Sequence, residues 1–283
     1  MSNRWVRQAR AGNSASAANE AAFAEARATR LEPPLGQGER LALWQRRARQ
    51  LSLPHAVVVE GARGVGKSTV MQWLAASLLC PSELDDEGPC GVCRTCARIA
   101  SGQHPDVHRL DRAKDEDDRK EWKKSFYVIK VDQVRLAQDL LARHALEGRA
   151  RVLLVADADS MEEEAQNALL KTLEEPGAAT FLLLEAVRPE QLLPTVRSRV
   201  QRLRVVPLDG ATLLRELARR IPARAAHHAR AIAVAGGSLG RALAACTERA
   251  VQIHDLVLGL LATTNSLRPV AAARAALAGV TER

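Results

Sequence analysis

Residues 57–69 read Val57-Val58-Val59-Glu60-Gly61-Ala62-Arg63-Gly64-Val65-Gly66-Lys67-Ser68-Thr69. The β-branched run at the start predicts a buried strand, and the pattern that begins at Val70 predicts a helix directly after the stretch. Between them lies G-x-x-x-x-G-K-S, which is typical of a loop whose backbone N–H groups hold phosphate at a helix N-terminus. The stretch therefore predicts a strand, a phosphate loop and a helix, and with them a nucleotide site.

The candidate nucleotide ligands follow from the chemistry of this loop. Its glycines permit backbone conformations that a Cβ would forbid, so that successive N–H groups can converge on one anion. Lys67 is expected to reach the β- and γ-phosphates and the Ser68 hydroxyl to ligate Mg²⁺, with ATP as the candidate nucleotide. A glycine-rich turn that merely matches the pattern is the alternative. The predicted loop residues are Gly61, Gly64, Gly66, Lys67, Ser68 and Thr69.

The composition is that of an ordinary globular protein. Of 283 residues, 47% are hydrophobic and 26% are charged, which excludes a disordered chain and leaves room for a sizeable core. No apolar run has the length of a membrane span, and residues 1–30 lack the apolar core of a signal peptide, so we expect a cytoplasmic protein without a membrane partner. The formal net charge of +8 is consistent with an acidic or nucleic-acid partner. It is equally consistent with a basic helical face that is exposed to solvent.

Four of the five cysteines form one cluster, Cys80-x9-Cys90-x2-Cys93-x2-Cys96, just after the helix that follows the loop. In a cytosolic protein this compact spacing indicates a metal rather than disulfides, because thiolates two residues apart on a turn can meet one ion. Four thiolates would close the coordination sphere, so we predict a structural Zn²⁺ rather than a catalytic one. Redox-active or unrelated thiols are the alternative. Cys246 stands apart and is expected to be a small buried hydrophobe.

The segments that follow predict an α/β fold. Apolar runs predict strands at 107–110, 151–156 and 180–185, and helical spacing predicts helices at 128–146 and 162–175. This alternation indicates a mainly parallel sheet covered on both faces. Residues 112–124 interrupt it with dense mixed charge and are expected to form a solvated loop or an exposed helix.

The order of the phosphate loop, the cysteine cluster and His104-Pro105-Asp106 resembles the clamp-loader subunits of bacterial DNA polymerase III, a gamma/tau/delta-prime family within the AAA+ superfamily. Two more segments resemble the family, Gln166-Asn167-Ala168-Leu169-Leu170-Lys171-Thr172-Leu173-Glu174-Glu175-Pro176 and Leu193-Pro194-Thr195-Val196-Arg197-Ser198-Arg199. The resemblance covers about residues 53–243.

The resemblance implies a domain organisation. We expect an AAA+ nucleotide-binding domain at residues 31–206, with the zinc module at 80–96, and a small helical lid domain at 207–250. A partial collar-like helical region would follow at 251–283. Helical spacing in the sequence predicts helices here at 209–220, at 223–235 and from 238 to about 262. Residues 1–30 are poor in hydrophobic side chains other than Ala and predict a disordered or loosely helical extension.

The resemblance also bears on ATP hydrolysis. In the ATPase members one strand ends in Asp-Glu, where the Asp supports Mg²⁺ and the Glu polarises water. Here the strand ends in Ala156-Asp157-Ala158, so Asp157 can match the Asp or the Glu, depending on a shift of one residue in the alignment. One acid of the pair is missing in both cases, and Asp157 is the remaining candidate. Leu184-Glu185-Ala186 replaces a polar sensor, and Arg241 is displaced by about 100° around its helix from the position of the family's sensor Arg. Little or no intrinsic ATPase activity is implied, which favours the delta-prime type. A gamma/tau-like ATPase is the alternative.

Arg199 resembles the arginine finger that such a subunit inserts into a neighbour's ATP site, with Ser198 beside it. A surface arginine without this role is the alternative. The implied partners are gamma/tau-type and delta-type subunits in a hetero-oligomer, and the sliding clamp and primed DNA through the complex.

A zinc-dependent nucleic-acid-binding module is the third hypothesis. It predicts basic or aromatic residues among the cysteines, where phosphate would bind. Acidic residues predominate there instead, and we therefore rank this hypothesis last. The residues concerned are Glu83, Asp85, Asp86 and Glu87, against a single Arg94.

Overall fold

Five parallel strands form the centre of the computed structural model, which describes residues 31–82, 88–112 and 128–262. Neighbouring strands pair in the order β2-β3-β4-β1-β5, and each pairing is parallel. Parallel neighbours need crossover connections, and helices supply them here. The strands are Ala56–Glu60 (β1), Val107–Leu110 (β2), Arg151–Val155 (β3), Thr180–Ala186 (β4) and Gln201–Arg204 (β5).

Helices precede, connect and follow the strands. Those up to the last strand are Gly38–Arg49 (α1), Lys67–Leu79 (α2), Arg94–Ala100 (α3), Val131–Leu141 (α4), Glu163–Glu174 (α5) and Pro194–Arg197 (α6). Those after it are Gly210–Arg220 (α7), Ala225–Ala235 (α8), Leu239–Ala245 (α9) and Glu248–Ala262 (α10). Within the described ranges, no helix combines the length and the apolar character needed to cross a membrane.

The sheet separates two hydrophobic cores. Val57 and Val59 of β1 pack with α1, α2 and α3 on one face. Ala56 and Val58 pack with α4, α5 and α6 on the other. Alternate side chains of a strand point to opposite faces, so a continuous apolar run such as β1 needs cover on both sides. This arrangement and the helices after β5 confirm the predicted fold class, an α/β fold with a mainly parallel sheet followed by a helical region.

The sheet direction determines where a site can form. Since all five strands run the same way, their carboxyl ends meet at one edge, where parallel α/β sheets bind ligands. The phosphate loop follows β1 at this edge, and Asp157 and Glu185 lie at the ends of β3 and β4.

The helices after β5 have a small core of their own. The helices predicted at 209–220 and 223–235 are confirmed as α7 and α8. The single longer helix predicted from 238 to 262 is wrong, because the chain breaks into α9 and α10. The Thr247 hydroxyl accepts a hydrogen bond from the Ala250 N–H at 3.4 Å and so starts a new helix. Cys246, just before the break, is buried as expected.

The strand β5 and the short helices α3 and α6 escaped sequence analysis, and one helix was predicted too long. β5 reads Gln-Arg-Leu-Arg and pairs with β1 alone at the sheet edge, so it lacks the apolar run of a buried strand. The short helix α3 lies within the cysteine cluster. The predicted extension 1–30, the charged insertion from residue 113 onward and the collar-like region beyond residue 262 lie outside the described residues.

Asp106 explains why the helix predicted at 128–146 stops at Leu141. The Asp106 carboxylate accepts hydrogen bonds from the backbone N–H groups of Leu146, Glu147 and Gly148 at 2.6, 2.9 and 2.6 Å. These residues therefore turn toward β2 instead of continuing α4. Burial raises the pKa of Asp106, but the three N–H donors outweigh it, so the pKa lies below its usual value.

We predict that Asp106→Asn lowers the free energy of unfolding by about 2–3 kcal/mol, because a carboxylate matches three N–H donors and an amide does not. Urea denaturation at neutral pH measures this, with the exposed Asp132→Asn as a control that changes little. The contribution of Asp106 is present above the unfolded-state pKa of about 3.9 and is lost as pH falls through the lower folded-state value. Equal stability of the two variants would contradict a structural role for this carboxylate.

Candidate functional site

The phosphate loop joins β1 to α2 and depends on glycine for its path. Gly64 has φ +83°, and a Cβ there would lie 2.7 Å from the Ser238 hydroxyl oxygen at the start of α9. Gly61 is equally confined, since its Cβ would lie 2.6 Å from the Val205 carbonyl oxygen. Gly66 adopts φ +98° and caps the N-terminus of α2. The helical region after β5 therefore packs directly against the loop.

Lys67, the first residue of α2, turns its ammonium group into the protein. Its side chain is 1% exposed, and Nζ lies 3.4 Å from Glu185 Oε1. Nζ also donates a hydrogen bond to the Ala62 carbonyl oxygen at 2.9 Å. A buried cation requires such partners, since removal from water is costly. The residue expected to contact phosphate is thus engaged within the chain.

Glu185 is a site residue that sequence analysis did not assign. It lies on β4 directly opposite Val59 of β1, which brings its carboxylate to the base of the loop. Burial raises the pKa of Glu185 above its usual value, and the Lys67 ammonium offsets part of this effect. The available signal was a single charged residue after the apolar run Phe181–Leu184 of this strand.

Ser68, the predicted Mg²⁺ ligand, also contacts another part of the chain. Its hydroxyl accepts a hydrogen bond from Arg109 Nη1 at 3.3 Å, and Arg109 Nε donates to both Asp111 carboxylate oxygens at 2.9 Å. A guanidinium of β2 therefore reaches the oxygen that would bind the metal. Thr69 follows in the first turn of α2 and is half-buried.

Asp157 lies beside the loop in a charged cleft of about 560 Å³ that Arg63, Arg112 and Arg188 also line. Its carboxylate forms an ion pair with Arg112 Nη2 at 2.9 Å, and its backbone is left-handed with φ +48°. Asp159 has a structural role, because its Oδ2 accepts the backbone N–H groups of Val187 and Arg188 at 3.2 and 2.8 Å. The acid available near the loop is thus already paired with a cation.

Arg241 lies next to the phosphate loop in spite of its shift along the helix. A Cβ added to Gly64 would be 3.7 Å from Arg241 Cδ, and one on Gly236 would be 3.7 Å from its Nη1. Ser238 caps α9 by accepting a hydrogen bond from the Arg241 N–H at 3.2 Å. The N-terminus of α9 therefore brings Arg241 to the loop.

Arg199 and Ser198 lie just after α6, away from the loop's own contacts. Arg199 Nη2 lies 2.6 Å from Glu174 Oε1, and Nη1 donates to the Thr195 carbonyl oxygen at 2.9 Å. The Ser198 hydroxyl donates to the same carbonyl at 3.0 Å. Since 37% of the Arg199 side chain is exposed, its guanidinium is accessible to another chain.

The cysteine cluster converges as a metal site requires. The Sγ atoms of Cys80, Cys90, Cys93 and Cys96 all lie within 4.8 Å of one another. Cys80 Sγ lies 3.7 Å from Cys90 Sγ and 3.8 Å from Cys93 Sγ. A tetrahedron with Zn–S bonds of about 2.3 Å has edges of about 3.8 Å, so the four thiols fit Zn²⁺. The ion would be structural, because four thiolates leave no open position.

The backbone supports this cluster. The Cys93 N–H donates to Cys90 Sγ at 3.3 Å and the Cys96 N–H to Cys93 Sγ at 3.5 Å. Burial, with the charge of neighbouring Cys80, raises the pKa of Cys96, so its thiolate needs a cation. Gly91 adopts φ +72° and accepts a hydrogen bond from the Leu31 N–H at 2.9 Å. The module is thereby joined to the segment before α1.

We predict that the purified chain carries about one Zn²⁺ and that Cys93→Ser loses it, because removing one of four thiolates opens the coordination sphere. Metal analysis by inductively coupled plasma mass spectrometry measures the zinc content. Cys246→Ser is the matched control, since Cys246 lies in the helical core and should leave the zinc content unchanged. Full zinc retention in Cys93→Ser would contradict the assignment.

Comparison with known proteins places the chain in a family. The family model described as DNA polymerase III, delta subunit, matches residues 36–209, which is more than half of the chain. The delta' subunit of DNA polymerase III from Pseudomonas aeruginosa is 37% identical over 199 residues, covering 70% of this chain and 57% of that protein. The tau subunit from Salmonella typhimurium is 32% identical over 206 residues, covering 71% and 30%.

A solved structure is also similar, the gamma subunit-related protein of DNA polymerase III from Thermotoga maritima. It is 20% identical, with a TM-score of 0.48, and the match covers 81% of this chain and 67% of that one. The chain spans about half the length of the curated delta' relatives that it matches. On the strength of the family model and the delta' relatives, the chain belongs to the delta-prime family of DNA polymerase III subunits.

Proposed function

We propose that this chain is a delta-prime-type subunit of the DNA polymerase III clamp loader and helps to load the sliding clamp onto primed DNA. The observation that carries this proposal is the accessible Arg199, which follows Ser198 at the end of α6 in a member of the delta-prime family. The proposed partners are gamma/tau-type and delta-type subunits. The similarity of this chain to both delta' and tau subunits of DNA polymerase III supports such a complex.

In this role Arg199 acts in trans on a neighbouring subunit's ATP. A guanidinium neutralises the charge that develops on a transferred phosphoryl group. In the isolated chain Arg199 pairs with Glu174, whose side chain is 51% exposed. Ion pairs this exposed contribute little free energy, so a triphosphate can replace Glu174 at low cost. Ser198 helps to fix the turn through its bond to Thr195.

The site at the chain's own loop supports a subunit that stimulates hydrolysis rather than performing it. Lys67 is paired with Glu185, and Asp157 is paired with Arg112. Glu185 beside Lys67 and Asp157 in the cleft, the two acids nearest the functions of supporting Mg²⁺ and polarising water, are therefore each already paired with a cation. The proposed organisation remains an ATP-binding domain at 31–206 with a helical lid at 207–250, with ATP and Mg²⁺ as proposed ligands of the loop.

We predict that Arg199→Ala lowers the ATP turnover of the reconstituted complex by about 10³–10⁵-fold at the site that it completes. Turnover is measured with gamma/tau and delta subunits, clamp and primed DNA. Arg197→Ala is the matched control, because Arg197 is also exposed and lies two residues earlier in the same segment. Equal turnover by the wild type and Arg199→Ala in an assembled complex would overturn the trans role.

A gamma/tau-like ATPase is the second candidate, favoured by the intact Gly66-Lys67-Ser68 sequence and the similarity to tau. The two candidates predict different turnover by the chain alone. Turnover by the chain alone that Lys67→Ala abolishes would establish a motor. We expect no turnover above background.

A further inference from the structure

The two loop side chains expected to contact phosphate and Mg²⁺, Lys67 and Ser68, are held by other residues of this chain. Lys67 Nζ lies 3.4 Å from Glu185 Oε1, and the Ser68 hydroxyl accepts a hydrogen bond from Arg109 at 3.3 Å. The loop sequence is complete, yet its functional groups are engaged. The residues that engage them stand on two different strands, far away in sequence.

The position of Glu185 is determined by the sheet. β4 pairs with β1 in a register that sets Glu185 opposite Val59, two residues before the loop begins. The Glu185 side chain is 17% exposed and that of Lys67 is 1% exposed, so the pair is largely shielded from water. Because β4 is paired on both sides, its backbone keeps Glu185 beside the loop, and only a rotation of the side chain can withdraw the carboxylate.

The charge of Glu185 opposes that of a phosphate. Lys67 has three N–H donors; one binds the Ala62 carbonyl and another faces Glu185. A triphosphate that reaches Lys67 must displace the carboxylate or accept a like charge beside it. Asp157 also acts on Glu185 as a like charge, while Arg109 opposes it.

We propose that Glu185 is an internal competitor of nucleotide phosphates, a carboxylate that occupies Lys67 and thereby weakens the binding of nucleoside triphosphates to this loop. The proposal rests on the proposed function only in treating the loop as a nucleotide site. It makes Glu185 a determinant of affinity rather than a catalytic residue. It also gives a functional role to Glu185 as the one acidic residue of β4.

Calorimetric titration of the purified full chain with ATP and Mg²⁺ tests the proposal. Glu185→Gln keeps the shape of the side chain and removes its charge, and we expect its Kd for ATP to fall at least about tenfold, which corresponds to 1.4 kcal/mol. Glu60→Gln is the matched control. Glu60 ends the adjacent strand β1, is 12% exposed and pairs with Arg202 at 2.6 Å rather than with Lys67.

Two more variants keep the test decisive. Glu185→Ala also removes the charge, and it provides the comparison if the amide does not pack. When Lys67 is already replaced by Lys67→Met, adding Glu185→Gln should no longer tighten ATP binding, because Lys67 is the group that the loss of Glu185 charge releases. Thermal unfolding with and without ATP confirms that each variant is folded, and ATP should raise the Tm of Glu185→Gln more than that of the wild type.

The outcomes separate cleanly. Tighter ATP binding by the Glu185 variants but not by Glu60→Gln supports the proposal. Unchanged or weaker ATP binding by folded Glu185→Gln or Glu185→Ala overturns it, as does a gain that survives the loss of Lys67. Because no partner subunit is present, this result is independent of the Arg199 test, and either proposal can fail while the other stands.

Discussion

The pairing of β1 between β4 and β5 is the constraint on which the site depends. It buries the strand that carries the phosphate loop, and it places neighbouring strand ends within reach of the loop's residues. From β5 the chain passes to Val205, whose carbonyl leaves no space for a side chain at Gly61. On the other side of β1, strand β4 carries Glu185, whose carboxylate pairs with Lys67. The need for glycine at position 61 and the buried ion pair both follow from this one arrangement of strands.

The structure distinguishes residues that the family pattern alone would group together. Asp106 belongs to the His104-Pro105-Asp106 segment that resembles the family, yet its carboxylate accepts hydrogen bonds from three backbone N–H groups and stabilises the fold. Arg199 belongs to another, and its guanidinium is instead accessible and held by a weak ion pair. The first is buried and fully partnered within the chain, whereas the second is partnered only at the surface. This contrast in burial separates a structural role from a proposed intermolecular one.

Local sequence predicted the elements whose signals are local. The strand, loop and helix around Lys67, the two flanking helices α4 and α5, and the convergence of the cysteines follow from short patterns of residues. β5 escaped because Leu203 is its only apolar residue, and an edge strand needs less burial than a central one. The break between α9 and α10 depends on a single threonine cap.

The contacts of the loop could not be read from local sequence in the same way. Glu185 follows Lys67 by more than a hundred residues, and their meeting depends on the register between β1 and β4. The contact of Arg109 with Ser68 likewise depends on where β2 ends relative to α2. The residue types at the site could be predicted from local sequence, whereas the pairing of the strands determines which oppositely charged side chains lie close enough to form ion pairs.

The hydrogen bond between Leu31 and Gly91 gives the cysteine module a second effect. A Cβ at Gly91 would lie 2.6 Å from the Leu31 carbonyl oxygen, so the two backbones touch. The cysteines on either side of Gly91 therefore help to hold the segment that leads into α1 as well as their own turn. Local opening of the module would release that entry segment with it, which makes the two a single cooperative unit. Amide exchange at Leu31 would accordingly slow if a metal ion were held by the cysteines about sixty residues further along the chain.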